Sequence, residues 1–473
     1  MKNTTLFLII NMLSGIGYSL ISPLFPSLGK KDNLSEGILG WMIGIFPIAG
    51  SIFTSLVPLL CKKFSRIKLL CFATFFEATI TVLYGFLIFI SNISLLIIVI
   101  FALRIFHGFC SAIIGTLVYS LTISLADEGT TQSSLGKLEI AWSVGTFSGP
   151  IVASFFYNIG GYPLPFLVSG GSLYISFYLS TKINIKINKE ENEEDEGSVN
   201  YLRYLFYSEI YLILIGFVIC MINVTFYFPS LTYHLTKNYS LSVSTSSLFF
   251  AAPILPYMIL LQFLDTISSK FGIYLTFTFG LVISGISSVF IYPVNPLPHS
   301  LIIIILGFFM IGVGSCPVFI PGLVLLSKNI KKIDKKLDEL SANDMASAIN
   351  TLCIELGDFT GPILGGFLTD KFGFKICCII CSFLGIAYSL VFIISFYHNI
   401  KSDIIMVCSN KKNEKNDNNI KESEVYNKYE DYIKDIRANI LANKYNVRKR
   451  SMSFKRADKK NDSRLSLYSI LTK

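Results

Sequence analysis

The sequence predicts an all-α membrane protein with twelve transmembrane helices in two pseudo-symmetric six-helix halves. The 473 residues are 52% hydrophobic and only 15% charged, with a mean hydropathy of +0.59, whereas soluble proteins carry about 25% charged residues. Apolar runs of about twenty residues, the length that crosses a bilayer, recur along most of the chain. In addition, one glycine motif occurs once in each half of the chain.

The repeated motif is GxxxGP, which reads Gly145-Thr-Phe-Ser-Gly149-Pro150 and then Gly357-Asp-Phe-Thr-Gly361-Pro362. Two glycines four apart share one helix face and let another helix approach closely in lipid. The proline that follows bends the helix just beyond this flat patch. Two copies at matching places predict a duplicated bundle, with both segments acting as packing hinges at the seam between the halves.

Twelve apolar segments are the predicted spans, and the fourth and tenth are longer than a bilayer requires. They cover residues 5–27, 37–60, 68–90, 93–124, 136–158, 162–181, 207–232, 245–264, 273–292, 300–327, 344–368 and 374–397. A polar loop rich in glutamate separates the sixth span from the seventh. The predicted organisation is an N-terminal half (1–181), a central loop (182–206), a C-terminal half (207–397) and a mostly disordered basic tail (398–473).

Basic residues in short loops indicate the orientation of a membrane protein. Four of them follow the second span, between positions 62 and 68, and five lysines follow the tenth, between positions 328 and 336. Both loops fall on the same side as the central loop and the two termini, so this side is predicted to be the cytosol. The sequence does not distinguish the plasma membrane from an intracellular vesicle membrane.

The net charge of +9 belongs almost entirely to the tail, where residues 401–473 hold 18 Lys/Arg and 10 Asp/Glu. This location argues against binding to nucleic acid. An apolar face between Val425 and Ile440 precedes a basic stretch, Arg448–Arg456. One hypothesis is that this tail contacts anionic lipid; the alternative is a disordered soluble tail.

Four ionisable residues lie within predicted spans, where such groups cost several kcal/mol unless they are paired. They are Glu77, Arg104, Glu355 and Asp358. At 1.5 Å per residue, Glu77 lies about 14 Å from one side and Arg104 about 16 Å from the other. The two are therefore expected to meet near the midplane. Such a pair is either a structural clamp or a device by which Arg104 biases protonation of a nearby carboxylate.

Glu355 and Asp358 lie near mid-depth in the eleventh predicted span. In a duplicated bundle the solute path runs between the halves near the midplane. A carboxylate in that path can hold a proton or a cationic solute, but not both comfortably. This competition is the physical basis of antiport.

Over about residues 5–397 the chain resembles the major facilitator superfamily. The repeated GxxxGP resembles its antiporter motif, and Arg104-Ile-Phe-His107-Gly108 resembles its fourth-helix motif, whose arginine is implicated in proton coupling. Gly366-Phe-Leu-Thr-Asp370-Lys-Phe-Gly373 resembles its glycine–aspartate–glycine loop signature. In the usual place of that signature, after the second span, Lys62 stands where the family has aspartate.

Ser22-Pro23-Leu-Phe-Pro26 and Tyr227-Phe-Pro229 resemble the vesicular amine and polyamine transporters and the related drug:proton antiporters. The amine transporters carry one acid in the first helix and one before the proline of the seventh. Ser14 and Phe228 occupy those positions here. The resemblance adds Ser14, Asn223 and Tyr227 to the predicted solute and proton pathway.

The expected function is secondary active transport of a small organic solute, amine or polyamine-like, in exchange for protons by alternating access. One alternative is a non-transporting receptor or scaffold, favoured by the acids lost from the loop signatures. Another is an uncoupled uniporter. No GxxxxGK[ST] loop occurs, which argues against an ATP-driven pump. We therefore expect no enzyme activity, catalytic residue, metal or cofactor, and the expected partners are the solute, protons and the bilayer.

Overall fold

The computed structural model describes residues 3–32, 34–54, 56–125, 131–183, 207–294, 298–335 and 339–415. Throughout these ranges the regular elements are α-helices and one short 3₁₀ turn, which confirms the predicted all-α class. The central loop from 184 to 206 and the tail from 416 onward lie outside the described residues. The predicted lipid contact of the tail therefore stays a prediction.

The described residues between 3 and 183 contain one large hydrophobic core and a second, small one, and we call them the N-terminal bundle. Its helices are α1 (Asn3–Ser19), α2 (Ile21–Asp32), α3 (Glu36–Thr54), α4 (Val57–Lys63), α5 (Arg66–Phe86), α6 (Ile93–Leu125), α7 (Thr131–Gly160) and α8 (Pro163–Thr181), with the 3₁₀ turn Leu87–Phe89 after α5.

Residues 207–400 build two further hydrophobic cores, and we call them the C-terminal bundle. Its helices are α9 (Ser208–Thr225), α10 (Leu231–Asn238), α11 (Val243–Leu248), α12 (Ile254–Leu261), α13 (Leu264–Phe271), α14 (Ile273–Ile291), α15 (Leu301–Ile333), α16 (Glu339–Phe372) and α17 (Phe374–Ser395). Helix α18 (Tyr397–Lys415) follows, so the predicted tail begins as a helix. The described residues from 3 to 409 form one compact unit, and of the second unit only the end of α18 is described.

Nine helical stretches within the described ranges are long and apolar enough to cross a membrane. The other three predicted spans coincide with α8, with the broken segment 243–271 and with α16. The multi-pass membrane class is therefore supported, while the count of twelve spans and the proposed domain boundaries stay predictions.

The eighth predicted span differs most from the continuous helix that its apolar run suggested. It consists of α11, α12 and α13, and residues 249–252 donate their backbone N–H groups to the carbonyls three positions earlier. Pro253 follows directly, and proline lacks the N–H that an α-helix would use at that point. The chain therefore tightens into turns before α12 begins.

The first GxxxGP segment lies in α7 and packs against α1 of the same bundle. A Cβ on Gly145 would overlap the carbonyl group of Met12, and a Cβ on Gly149 would lie 2.9 Å from the carbonyl oxygen of Ile16. These glycines therefore let two helices of one bundle approach closely. Pro150 lies one residue further on, inside α7, which stays helical to Gly160.

The second GxxxGP segment lies in α16 and packs in the same way against α9. A Cβ on Gly357 would lie 2.9 Å from the carbonyl oxygen of Val218, and one on Gly361 would overlap Thr225. Both pairs of glycines thus face a partner within their own bundle. The repeated motif predicted these glycines at the seam between the halves, but glycine spacing alone does not specify which neighbouring helix packs against them.

The seam between the two bundles is closest where α3 meets α16. Gly40 packs against Pro362, and a Cβ on Gly44 would lie 2.7 Å from the carbonyl oxygen of Phe359. The glycines that line this seam therefore belong mainly to α3. On the same seam α7 meets α11, where the hydroxyl of Ser244 donates to the carbonyl oxygen of Ser154 at 2.7 Å.

A carboxylate of α18, that of Asp403, attaches this helix to the start of α14 in the C-terminal bundle. Asp403 Oδ2 accepts a hydrogen bond from the backbone N–H of Leu275 at 3.1 Å. Gly272 has φ +86°, and a Cβ there would overlap the Asp403 carboxyl. Phe396 and Ile400 are only 5% and 6% exposed, so an apolar contact accompanies the polar one. Burial raises the pKa of Asp403 above its usual range, while the helix-terminal N–H groups act in the opposite direction.

We predict that Gly145→Ala lowers the melting temperature by several degrees, because its Cβ would overlap a backbone carbonyl that cannot move aside and overpacking costs about 1–3 kcal/mol. Gly171→Ala is the matched control, since a Cβ at Gly171 meets nothing within 4 Å. Thermal unfolding of the two purified variants in detergent measures the difference. Equal melting temperatures for both variants would contradict this account of the α1–α7 contact.

We predict that Asp403→Ala exposes α18 to faster amide hydrogen exchange, whereas Asp403→Asn retains an acceptor oxygen and keeps α18 attached. Since burial makes the pKa of Asp403 higher in the folded than in the unfolded chain, attachment should strengthen as pH falls through the folded pKa and weaken as pH rises through it. Asp403→Asn should remove this pH dependence. Ser402→Ala, at an exposed neighbour, is the control; protection of α18 unchanged in Asp403→Ala argues against the contact.

Candidate functional site

Arg104 of α6 is a fully buried side chain, 2% exposed, that binds the backbone of α3. Its Nε donates to the carbonyl oxygen of Met42 at 2.9 Å and its Nη2 to that of Ile43 at 2.5 Å. The carbonyl of Ile43 would normally accept from the residue four positions later, which is Pro47 and has no N–H. Arg104 thus supplies the missing donor. Its guanidinium carbon lies 4.7 Å from the centre of the Phe46 ring.

Glu77 of α5 is 1% exposed and makes two polar contacts. Its Oε2 accepts a hydrogen bond from the hydroxyl of Ser14 at 2.8 Å, and its Oε1 lies 3.8 Å from Nε2 of His107. The expected ion pair with Arg104 is not formed between these described residues. Helix α6 packs against both α3 and α5, and the polar partners of its two residues differ. Arg104 hydrogen-bonds to α3, whereas His107 lies beside Glu77 and Tyr84 of α5 while its ring packs 4.8 Å from that of Phe46 in α3.

Asp358 of α16 contacts the opposite bundle. Its Oδ2 accepts a hydrogen bond from the hydroxyl of Tyr18 at 2.7 Å, and the residue is 8% exposed. Glu355 lies one helical turn earlier on the same helix and is partly exposed. Within the described ranges, no hydrogen bond or ion pair joins Glu355 to another residue. The structure therefore brings one partnered and one unpartnered carboxyl together beside α1.

Aromatic rings pack against the ring of Tyr18. The ring of Tyr18 lies 5.4 Å from that of Phe46 and 5.7 Å from that of Trp142, measured between centroids. Trp41 packs edge-on to Phe359, which follows Asp358, with centroids 5.9 Å apart. Two carboxyl groups beside aromatic faces form an environment that attracts an organic cation, because ring faces and carboxylates both carry negative potential.

Asn223 and Tyr227 lie inside the C-terminal bundle, each 1% exposed. The side-chain oxygen of Asn223 accepts from the hydroxyl of Ser288 at 3.1 Å, and its nitrogen donates to the carbonyl oxygen of Ile219. The ring of Tyr227 packs 5.0 Å from that of Phe308. The contacts of both residues are therefore within the core of this bundle, whereas Ser14 and Glu77 are joined in the other.

Asp370 holds the start of α3 from across the seam. Its two carboxyl oxygens accept the backbone N–H groups of Glu36 and Gly37 at 2.8 and 2.7 Å. A carboxylate at a helix N-terminus satisfies free donors and interacts favourably with the helix dipole. Gly366, four residues before it, packs directly against Glu36, and Gly373, with φ +82°, ends the helix. This loop signature therefore joins the two bundles at one end of the seam.

A family model described as the Major Facilitator Superfamily matches residues 7–335 and 213–423 of the chain. The protein belongs to the Major Facilitator Superfamily. Among curated relatives, the human MFS-type transporter SLC18B1 is 25% identical over 381 residues, which cover 77% of this chain and 80% of that protein. Multidrug resistance protein 1 of Bacillus subtilis is 20% identical over 375 residues, which cover 78% of this chain and 90% of that protein.

Solved structures of transporters share the fold. The nucleoside transporter NupG superposes with a TM-score of 0.69 at 11% identity, covering 84% of this chain and 99% of that one. A bacterial homologue of the human lysosomal transporter Spinster superposes with a TM-score of 0.62 at 13% identity, covering 86% of this chain and 94% of that one. At such identities the likeness shows the fold alone. As a superfamily member with transporter relatives, the protein is a multi-pass membrane protein of the transporter class rather than of an enzyme class.

Among the polar residues of the site, Tyr18 was not predicted from the sequence, and His107 was noted only as part of the fourth-helix motif. Each had a signal: Tyr18 lies four residues after Ser14, and His107 lies three after Arg104, so both share or adjoin the face of a predicted pathway residue. Neither residue carries a fixed charge, and a search for charges within apolar spans passes over them.

We predict that Asp370→Ala opens the end of the seam at which α3 begins. The variant removes two hydrogen bonds that link the bundles through a carboxylate, and their loss should raise the open population about tenfold. Electron–electron distance measurements between spin labels at Ser35 and Phe372 report this population. Lys375→Ala, at an exposed charge in the next helix, is the control, and identical distance distributions in both variants would show that Asp370 does not hold the seam.

Proposed function

We propose that this protein exchanges protons for a small organic cation, amine or polyamine-like, by alternating access. Membership of the superfamily and the transporter relatives support transport of a small solute. The observation that carries the finer proposal is the hydrogen bond between Tyr18 and Asp358, which joins the two bundles beside Glu355.

The two carboxyl groups support a cationic solute. Glu355 and Asp358 are three residues apart on α16, so their side chains lie on neighbouring parts of one helix face. Trp142 and the ring of Tyr18 lie on the opposite side of the seam. A linear amine with one or two ammonium groups can contact both acids while its methylene chain packs on the rings.

The same geometry supports alternating access and exchange. Tyr18 and Asp358 belong to different bundles, so a movement that separates the bundles at this level breaks their hydrogen bond. An ammonium group that binds Asp358 competes with the hydroxyl of Tyr18 for the carboxylate. A proton on Asp358 or Glu355 removes the negative charge that attracts the cation. Proton and solute therefore exclude one another, which is the requirement for antiport.

The test uses purified protein in liposomes that are acidic inside, with the membrane potential clamped and labelled spermidine outside. We expect wild-type protein to accumulate spermidine, and Glu355→Gln and Asp358→Asn to lower both gradient-driven accumulation and counterflow exchange at least tenfold, since each removes a charge that binds the cation. Glu209→Gln, at an exposed acid that pairs with Lys332 on the surface, is the matched control and should stay within twofold of wild type.

The outcomes separate the alternatives. Spermidine uptake that ignores the pH gradient favours uniport. Absence of flux with spermidine and with a panel of labelled amines and organic anions favours a non-transporting receptor or scaffold. Normal flux in both carboxyl variants would remove Glu355 and Asp358 from the solute site while leaving transport itself intact.

A further inference from the structure

A second acid–base cluster lies inside the N-terminal bundle, away from the seam. Glu77 and His107 are each 1% exposed, with Oε1 and Nε2 3.8 Å apart. The other ring nitrogen of His107 lies 3.2 Å from the hydroxyl of Tyr84, and the other oxygen of Glu77 accepts from Ser14. The chain Ser14–Glu77–His107–Tyr84 thus connects α1, α5 and α6.

The groups that face this cluster are few. Helix α6 contributes Arg104, whose guanidinium is bound to α3, and the thiol of Cys110; helix α5 contributes Tyr84. The described segments of α1 and α8 contain no Asp, Glu, Lys, Arg or His, and α3 carries its only acid, Glu36, at the seam. Within the described residues, Glu77 and His107 therefore face each other as the one acid–base pair of this bundle core.

We propose that the Glu77–His107 pair holds a second exchanged proton, separate from any proton on Asp358 or Glu355; this inference rests on the proposed proton exchange. With one proton, the pair is neutral overall, either as carboxylate and imidazolium or as carboxylic acid and imidazole. Loss of that proton to water leaves a carboxylate beside a neutral ring. A lone buried carboxylate is strongly disfavoured, so the enclosed pair keeps its proton and releases it when water reaches the site.

Helix α1 connects this pair to the seam. Ser14 and Tyr18 are four residues apart on α1 and therefore lie one above the other on a single face. Ser14 donates to Glu77, while Tyr18 donates to Asp358 of the other bundle. A change in the charge of Glu77 alters one hydrogen bond of α1, and arrival of a cation at Asp358 alters the other. The structure thus assigns α1 as the element that both events move.

The experiment compares accumulation at equilibrium in the spermidine assay with a pH difference of one unit. Each exchanged proton multiplies the equilibrium ratio tenfold per pH unit, so Glu77→Gln and His107→Gln should lower the accumulation ratio about tenfold. Counterflow exchange without a gradient should stay within threefold of wild type. His234→Gln, at a buried histidine of the C-terminal bundle whose Nδ1 lies 2.9 Å from the side chain of Asn238, is the matched control and should behave as wild type.

Ser14→Ala provides an independent variant, because it removes the hydrogen bond from α1 to Glu77 but leaves both titratable groups in place. We expect it to lower the accumulation ratio while exchange persists. If Glu77→Gln or His107→Gln does not fold, Ser14→Ala decides: an accumulation ratio equal to wild type overturns the proposal and a lowered ratio supports it.

The remaining outcomes are distinguishable. Wild-type protein that ignores the pH gradient refutes proton exchange itself. Gradient-driven accumulation in wild type that is unchanged in Glu77→Gln and His107→Gln overturns the second proton site alone. Loss of exchange together with accumulation in folded variants also overturns it, because the pair would then be needed for transport in general rather than for the proton.

Discussion

Backbone N–H and C=O groups inside a bilayer have no water to bind, so they need partners within the protein. The carbonyl of Ile43 shows how much follows from this constraint. Pro47 leaves it without its helical donor, and Arg104 supplies one. That bond positions α6 against α3, and α3 is the helix that meets α16 across the seam. The guanidinium of Arg104, a charged group that is costly to place in a bilayer, thereby fixes the orientation of the helices around the site.

The class of fold could be predicted from local properties of the sequence. Run length, low charge and the repeated glycine motif depend only on neighbouring residues, and they predicted an all-helical membrane protein. The positions at which a helix breaks within a span depend also on contacts with other helices. Pro253 interrupts the segment 243–271, whereas Pro150 and Pro362 remain inside continuous helices. Proline leaves the carbonyl four positions earlier without its helical donor. Whether the helix continues depends on the packing around it, which the local sequence does not specify.

The burial of the site residues was predictable from the sequence, but the direction in which each side chain faces was not. Counting residues predicted the same membrane depth for Glu77 and Arg104, and both side chains are buried within the N-terminal bundle. Which neighbour each faces depends on the rotation of α5 and α6 about their axes, and packing determines that rotation. Arg104 therefore finds its hydrogen-bond acceptors on α3, while His107, three residues later on α6, finds its polar partners on α5. The same limit explains why the glycines of α7 and α16 proved to face α1 and α9.

The hydrogen bond from Tyr18 to Asp358 has a consequence for affinity on the proposed mechanism. The hydroxyl acts as an internal competitor that occupies the carboxylate whenever the cation is absent. The apparent free energy of solute binding is then the difference between two terms. One is the free energy with which the cation binds Asp358, and the other is that of the hydrogen bond from Tyr18, which the cation must break. Such a competitor weakens solute binding but gives the empty carrier a closed state of its own. Selection acting on the residue at position 18 would therefore tune affinity and the return of the empty carrier together, since one hydroxyl governs both.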